Sequence, residues 1–160
     1  MKKYTILLTL LLFVFALAIV WLSMRVNDLE QSAGQSDEPE LHVLMSQMQT
    51  HLHKLSLATE ASNLRLSEFY LHELEEVMEV ITASDIEYEG NPVSMLTNEM
   101  LLPAFEELDQ AVDQQDWPLA RQRRSAAVQS CNSCHQATGF GEIVITDGVE
   151  VNPFNQEFGM

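Results

Sequence analysis

Residues 131–135 read Cys-Asn-Ser-Cys-His, and this pentapeptide constrains the chain more than any other feature. C-x-x-C-H is the attachment signature of a c-type haem. The two thiols become thioether links, and the histidine becomes the proximal iron ligand. On a helix, positions i, i+3 and i+4 share one face, so Cys131, Cys134 and His135 all address one porphyrin. The spacing predicts one covalent haem c, with Cys131 and Cys134 as its attachment points and His135 on the iron. Cys131 and Cys134 are the only cysteines in the chain. A thioredoxin-like redox pair would need a βαβ context, which the pattern lacks. A structural zinc site would want four ligands.

The segments before the motif carry helical periodicity. A first helix is expected to open at Ser36 or Asp37, with Pro39 in its first turn. Leu41, Leu44, Met45, Met48, Leu52 and Leu55 form its apolar face, and it ends near Asn63. A second runs from about Leu66 to Ala83, with Phe69, Tyr70, Val77, Val80 and Ile81 on the buried side. Asp85 to Gly90 reads as a loop. Asn91-Pro92 reads as an N-cap and first helical residue, opening a third helix to about Gln115. Its apolar positions are Met95, Leu96, Met100, Leu101, Phe105, Leu108 and Val112, and Pro103 inside it predicts a kink or a division. Asp116-Trp117-Pro118 starts a fourth helix, which carries the motif and is stopped by Gly139 and Gly141. The stretch Ile143 to Val151 is β-like around Asp147-Gly148, so the tail is expected either to pair into a hairpin or to lie over the helices. The expectation is an all-α fold: an antiparallel four-helix bundle over 37–138, followed by an extended tail over 139–160.

The first 25 residues stand outside that fold. Lys2 and Lys3 precede an apolar run from Ile6 to Leu22 broken only by Thr9. Its length suits a bilayer span of roughly 17 to 25 residues, and the paired lysines predict an N-in orientation. Residues 1–25 therefore read as a signal anchor in the inner membrane, with the domain in the periplasm. The alternative is a cleaved signal peptide and a soluble periplasmic protein. Residues 26–36 are polar, without periodicity, and read as a linker.

Charge narrows the partners. The formal net charge is −16. Beyond residue 26, Lys54, Arg65, Arg121, Arg123 and Arg124 stand against all 24 acidic residues. A surface this negative argues against nucleic acid and anionic lipid and favours a basic protein partner. Haem and, through the N-terminal helix, the membrane complete the expected partners.

Four helices with C-x-x-C-H near the end of the last resemble the cytochrome c-prime family, over about residues 37–138. The segments His51-Leu-His-Lys-Leu, Tyr70-Leu-His-Glu and Cys131-Asn-Ser-Cys-His-Gln-Ala-Thr-Gly are also similar to small exported haem proteins of cytochrome c-like type. The resemblance implies a mono-haem protein whose first helix faces the distal side of the haem, and a possible homodimer. The hydrophobic N-terminus and the tail after Gly139 depart from that family's soluble form.

With His135 on one side of the iron, the residue on the other side decides the function. A strong ligand suits electron transfer, and an apolar residue leaves the iron open to nitric oxide or carbon monoxide. A helical wheel puts Met48 near the centre of the apolar face and His51 on its flank, with His42, Ser46 and His53 opposite. His51 ranks first as distal ligand and Met48 second. Arg124, seven residues before Cys131, is a candidate partner for a haem propionate. The functional expectation is a membrane-anchored periplasmic electron-transfer cytochrome, with gas binding as the alternative. An enzyme is not expected: a peroxidase would want an arginine beside a distal base, and the first helix has none.

Overall fold

In a computed structural model of the chain, residues 15–26 and 40–159 are described. The chain divides into two compact units, Met1–Asp37 and Glu38–Met160.

In the first unit, residues 15–26 form a helix, α1, whose large apolar side chains, Phe15 and Trp21 among them, are exposed. The Arg25 guanidinium lies 5.7 Å from the centre of the Trp21 ring. Among the described residues no helix is long and apolar enough to cross a membrane. The rest of the predicted anchor, 1–14, and the Ser36, Asp37 and Pro39 helix start lie outside the described residues. Val26, assigned to the linker, is helical.

The second unit is all-α apart from one two-residue ladder and the extended tail. Its helices are α2 (Leu41–Glu60), α3 (Leu64–Ala83), α4 (Val93–Leu96), α5 (Leu102–Asp113) and α6 (Trp117–Ala137). α2 packs on α3, α3 on α5, α5 on α6 and α6 on α2, so the long helices close into a ring. Leu55, Leu71, Leu74, Met78, Ile81, Phe105, Leu108 and Val112 are fully buried in the core the ring encloses. On α3 the buried stripe is Ser67, Tyr70, Leu71, Leu74, Val77, Met78 and Ile81. This is the i, i+3, i+4 pattern of one face. Phe69 and Val80, expected inside, fall off the stripe and are exposed, as is Met95.

Three helices end in the same way. Ser62, Gln115 and Gly139 adopt left-handed φ values of 54°, 54° and 86°. The next residue's N–H reaches back to the helix: Asn63 to Ala58 at 2.9 Å, Asp116 to Ala111 at 3.0 Å, and Phe140 to His135 at 2.7 Å. These are Schellman ends, which satisfy carbonyls that the terminating helix leaves without partners. Asn63 then caps α3 through the Leu66 N–H, so α3 starts at Leu64, and Asp116 caps α6 through the Leu119 N–H.

The expected loop at 85–90 contains a ladder, β1 (Glu87–Tyr88) antiparallel to β2 (Asn91–Pro92). Glu89 and Gly90 between them both have positive φ, as a two-residue type I′ turn requires. Asn91 is therefore a strand residue and not an N-cap. Its side chain donates to the Thr138 carbonyl at 3.2 Å, tying the turn to the end of α6. Pro103 does divide the third helical segment. It lies in the first turn of α5, directly after a π-helical turn, Thr97–Leu101, in which the Leu102 N–H reaches back to the Thr97 carbonyl. Proline has no N–H for the Glu99 carbonyl four residues back, and a π turn is a local register change of this kind.

The tail after Gly139 contains no strand among its described residues. It runs over the helices as an extended strap, the second of its two expected forms.

Candidate functional site

Cys131, Cys134 and His135 lie on one face of α6, and all three line one cavity of about 380 Å³. This is within the ~300–1,000 Å³ range of small-molecule sites. α2 supplies the facing wall with Leu41, Met45, Met48 and Leu52. The interior is closed by Leu74, Val93, Leu101 and Phe105, the turn by Tyr88 and Asn91, and the strap by Phe140, Ile143 and Ile145. The lining is overwhelmingly apolar, as an aromatic macrocycle demands.

Burial sets the state of the two thiols. Both are buried and free. Desolvation, with a smaller repulsion from Cys134, pushes the Cys131 thiol up to about 11, and burial raises Cys134 as well. A catalytic disulfide pair requires a lowered thiol pKa, so this environment suits neutral sulfur. Among the described residues no three His, Cys, Asp or Glu side chains are grouped to hold a metal ion on their own. Haem asks less of the chain, because the porphyrin brings its own nitrogen donors.

The His135 ring is held by the strap. Its Nδ1 lies 2.8 Å from the Ile143 carbonyl oxygen. A carbonyl only accepts, so Nδ1 is the donor in this contact, and in the neutral imidazole that leaves the lone pair on Nε2, the arrangement outer partners impose on metal-binding histidines.

Compared with family models, curated proteins and solved structures, the chain matches none.

The remaining site residues separate. Met48 is buried and lines the cavity. His51 does not line it. Its Nε2 lies 3.9 Å from a Glu73 carboxylate oxygen, and its ring centre is 6.2 Å from that of Tyr70, on the side of α2 that packs on α3. The wheel placed His51 on the flank of the apolar face, but that face is shared between the cavity and α3, and His51 lies on the α3 side. His42 and Ser46, expected opposite, line the cavity instead.

Arg124 is also turned away from the cavity. The residue is 4% exposed. It donates to the Ser56 carbonyl at 3.1 Å, the Thr59 hydroxyl at 2.9 Å, Glu60 at 3.4 Å and Asp147 at 3.3 Å. These partners make it a clamp between α2, α6 and the strap. Arg121 pairs with Glu60 and Arg123 with Glu107.

Thr97 escaped sequence reasoning, and so did the strap's share in the cavity wall. Thr50, Thr59, Thr82 and Thr138 give their hydroxyls to the carbonyl four residues back. The Thr97 hydroxyl, at the start of the π turn, is buried on the cavity wall with no partner among the described residues. An orphaned buried hydroxyl is costly unless something meets it; His51 Nδ1, Ser56 Oγ and Ser67 Oγ are in the same state away from the cavity, and Thr97 is the one of the four that lines it. The apolar lining, neutral thiols, free Nε2 and this hydroxyl together fit a haem. The β-like stretch at 143–145 was the available signal for the strap, since such a segment must pack on something.

Proposed function

We propose that this chain is a mono-haem c-type cytochrome of the cytochrome c-prime kind. The observation carrying this is that both motif thiols and the motif imidazole line one apolar cavity, with the Nε2 lone pair of His135 free. The cyclic packing of the four long helical segments supports an antiparallel four-helix bundle. Cys131 and Cys134 would hold the haem covalently, and His135 would be the proximal ligand. Met48 replaces His51 as the candidate distal ligand, because it is buried and lines the cavity, which His51 does not.

Bound haem supplies the one-electron couple of its iron. The residues of this chain do the rest. Leu41, Met45, Leu52 and Phe105 exclude water, and the lowered local dielectric disfavours the more highly charged oxidation state and so tunes the reduction potential. The acidic residues of α3 and α5 raise the negative potential of the surface. Burial and repulsion from Asp109 hold Glu75 above its ordinary range, and burial and repulsion from Asp113 do the same for Asp109. Such a surface steers a basic redox protein toward the domain. Electron transfer from a periplasmic domain anchored by residues 1–25 is the function proposed.

A second reading, binding of nitric oxide or carbon monoxide, is favoured by one observation: His51 does not line the cavity, and the buried side chains that α2 places there, Met48 and Leu52, include no imidazole. The two separate on the optical spectrum of the reduced, haem-loaded protein with and without carbon monoxide. A low-spin spectrum unmoved by the gas supports electron transfer with a ligated iron. A high-spin spectrum that shifts on adding the gas refutes it and leaves the gas-binding reading.

A further inference from the structure

We propose that Asn132, the first variable residue of the Cys-Asn-Ser-Cys-His motif, is a positioning residue for His135, acting through the C-terminal strap. The inference rests on the reading of His135 as the proximal iron ligand.

The Ile143 carbonyl is the only described partner of His135 Nδ1, and it belongs to an extended segment with no ladder of its own. Something else must hold it at 2.8 Å. Asn132 does so from one turn earlier on α6. Its side-chain amide donates to the Ile145 carbonyl at 2.9 Å and accepts from the Ile145 N–H at 2.7 Å. This reciprocal pair copies what a neighbouring strand would provide. Ile143 is fixed from the other side by its own N–H, which donates to the Phe140 carbonyl at 2.9 Å. Two pinned points, three and two residues away, therefore bracket the carbonyl that meets the imidazole.

Further along, the strap is fastened independently. Asp147 accepts from Ser125 at 2.9 Å and from Arg124 at 3.3 Å. His53 Nε2 lies 2.7 Å from the Gly148 carbonyl and 3.1 Å from that of Val151. Tyr70 donates to Gln156 at 2.7 Å, and Phe158 is buried. The strap therefore stays on the protein when Asn132 is removed, and what is lost is local: the aim of the Ile143 carbonyl. Alanine at 132 keeps α6 helical, since alanine has the highest helix propensity.

A carbonyl accepting from Nδ1–H makes the imidazole a stronger electron donor at Nε2. Stronger donation favours the ferric state. Loss of the Asn132 bonds should therefore raise the reduction potential, and it should expose the Nδ1–H proton to solvent.

The test uses the full chain matured with haem, as wild type, Asn132→Ala and Tyr70→Phe. The readouts are the reduction potential by optical titration and the solvent exchange rate of the His135 Nδ1–H, followed by its hyperfine-shifted proton resonance in the ferric protein. Asn132→Ala is expected to raise the potential and speed exchange roughly two- to tenfold, the loss of one ordinary hydrogen bond. Tyr70→Phe unfastens only the far end and should leave both at the wild-type value. Haem-loaded Asn132→Ala with wild-type potential and exchange overturns the inference while leaving the proposed cytochrome intact. A Tyr70→Phe shift equal to that of Asn132→Ala also overturns it, because the effect would then be general loosening. A chain that takes up no haem overturns both.

Discussion

Replacing Arg124 by methionine should destabilise the domain heavily without touching the haem. Arg124 is almost fully buried, so its loss withdraws charge-assisted bonds from Ser56, Thr59, Glu60 and Asp147 at once. Breaking a buried ion pair by removing one partner costs ~3–5 kcal/mol. Here the carboxylates are less buried than the cation: the side chains of Glu60 and Asp147 are 48% and 34% exposed, so both can rehydrate. That discount brings the expected loss to about 3 kcal/mol, most of it from the Ser56 carbonyl and Thr59 hydroxyl left inside. With a urea slope of about 1.5 kcal/mol/M for a domain of this size, the midpoint falls by about 2 M. Urea denaturation followed by far-ultraviolet circular dichroism measures it. A midpoint drop below about 0.5 M would refute the clamp reasoning. The reduction potential and haem spectrum of the folded Arg124→Gln protein should be those of the wild type; a shift in either would restore the propionate role.

Three further outcomes follow from particular residues. Glu75 and Asp109 have raised folded-state pKa values, so each favours folding in acid, and that contribution is lost as pH rises through the raised value. Asp109→Asn should therefore raise the melting temperature at pH 7 and do nothing below the ordinary carboxylate range; an equal gain at both pH values would contradict this. Gly148 has φ of +65°, and an added Cβ would lie 2.8 Å from the His53 ring, so Gly148→Ala should loosen the strap at a cost of at least ~1–2 kcal/mol, seen as faster proteolysis after residue 139. Asp116→Ala removes the α6 N-cap bond from the Leu119 N–H and should cost about 1 kcal/mol in thermal unfolding.

How much of this was legible follows the physics of each signal. The apolar positions of α2 and α5 report burial directly, and Asp116 and Gly139 mark the ends of α6 because capping chemistry is local. Ser62 and Gln115 terminate their helices with the same Schellman geometry as Gly139, yet neither is glycine, so the boundaries near Asn63 and Gln115 could be placed only approximately. His51 was misplaced because a wheel locates a residue relative to an apolar face and cannot say how that face is divided between a cavity and a neighbouring helix. Arg124 was located on the correct helix, but its partners Glu60 and Asp147 lie 64 and 23 residues away, and no local pattern announces them. The Ile143 carbonyl is a backbone group, so no residue type could signal it.

The central claim is that Cys131 and Cys134 carry one covalent haem with His135 on its iron. The most direct measurement is the intact mass and denatured optical spectrum of the full chain produced in a host that attaches c-type haem, beside Cys134→Ser and His135→Ala. The account predicts a wild-type mass increased by one haem that survives denaturation, weakened or single attachment in Cys134→Ser, and an altered iron spectrum in His135→Ala. A wild-type chain that leaves such a host at its bare polypeptide mass, with both thiols free, would contradict it.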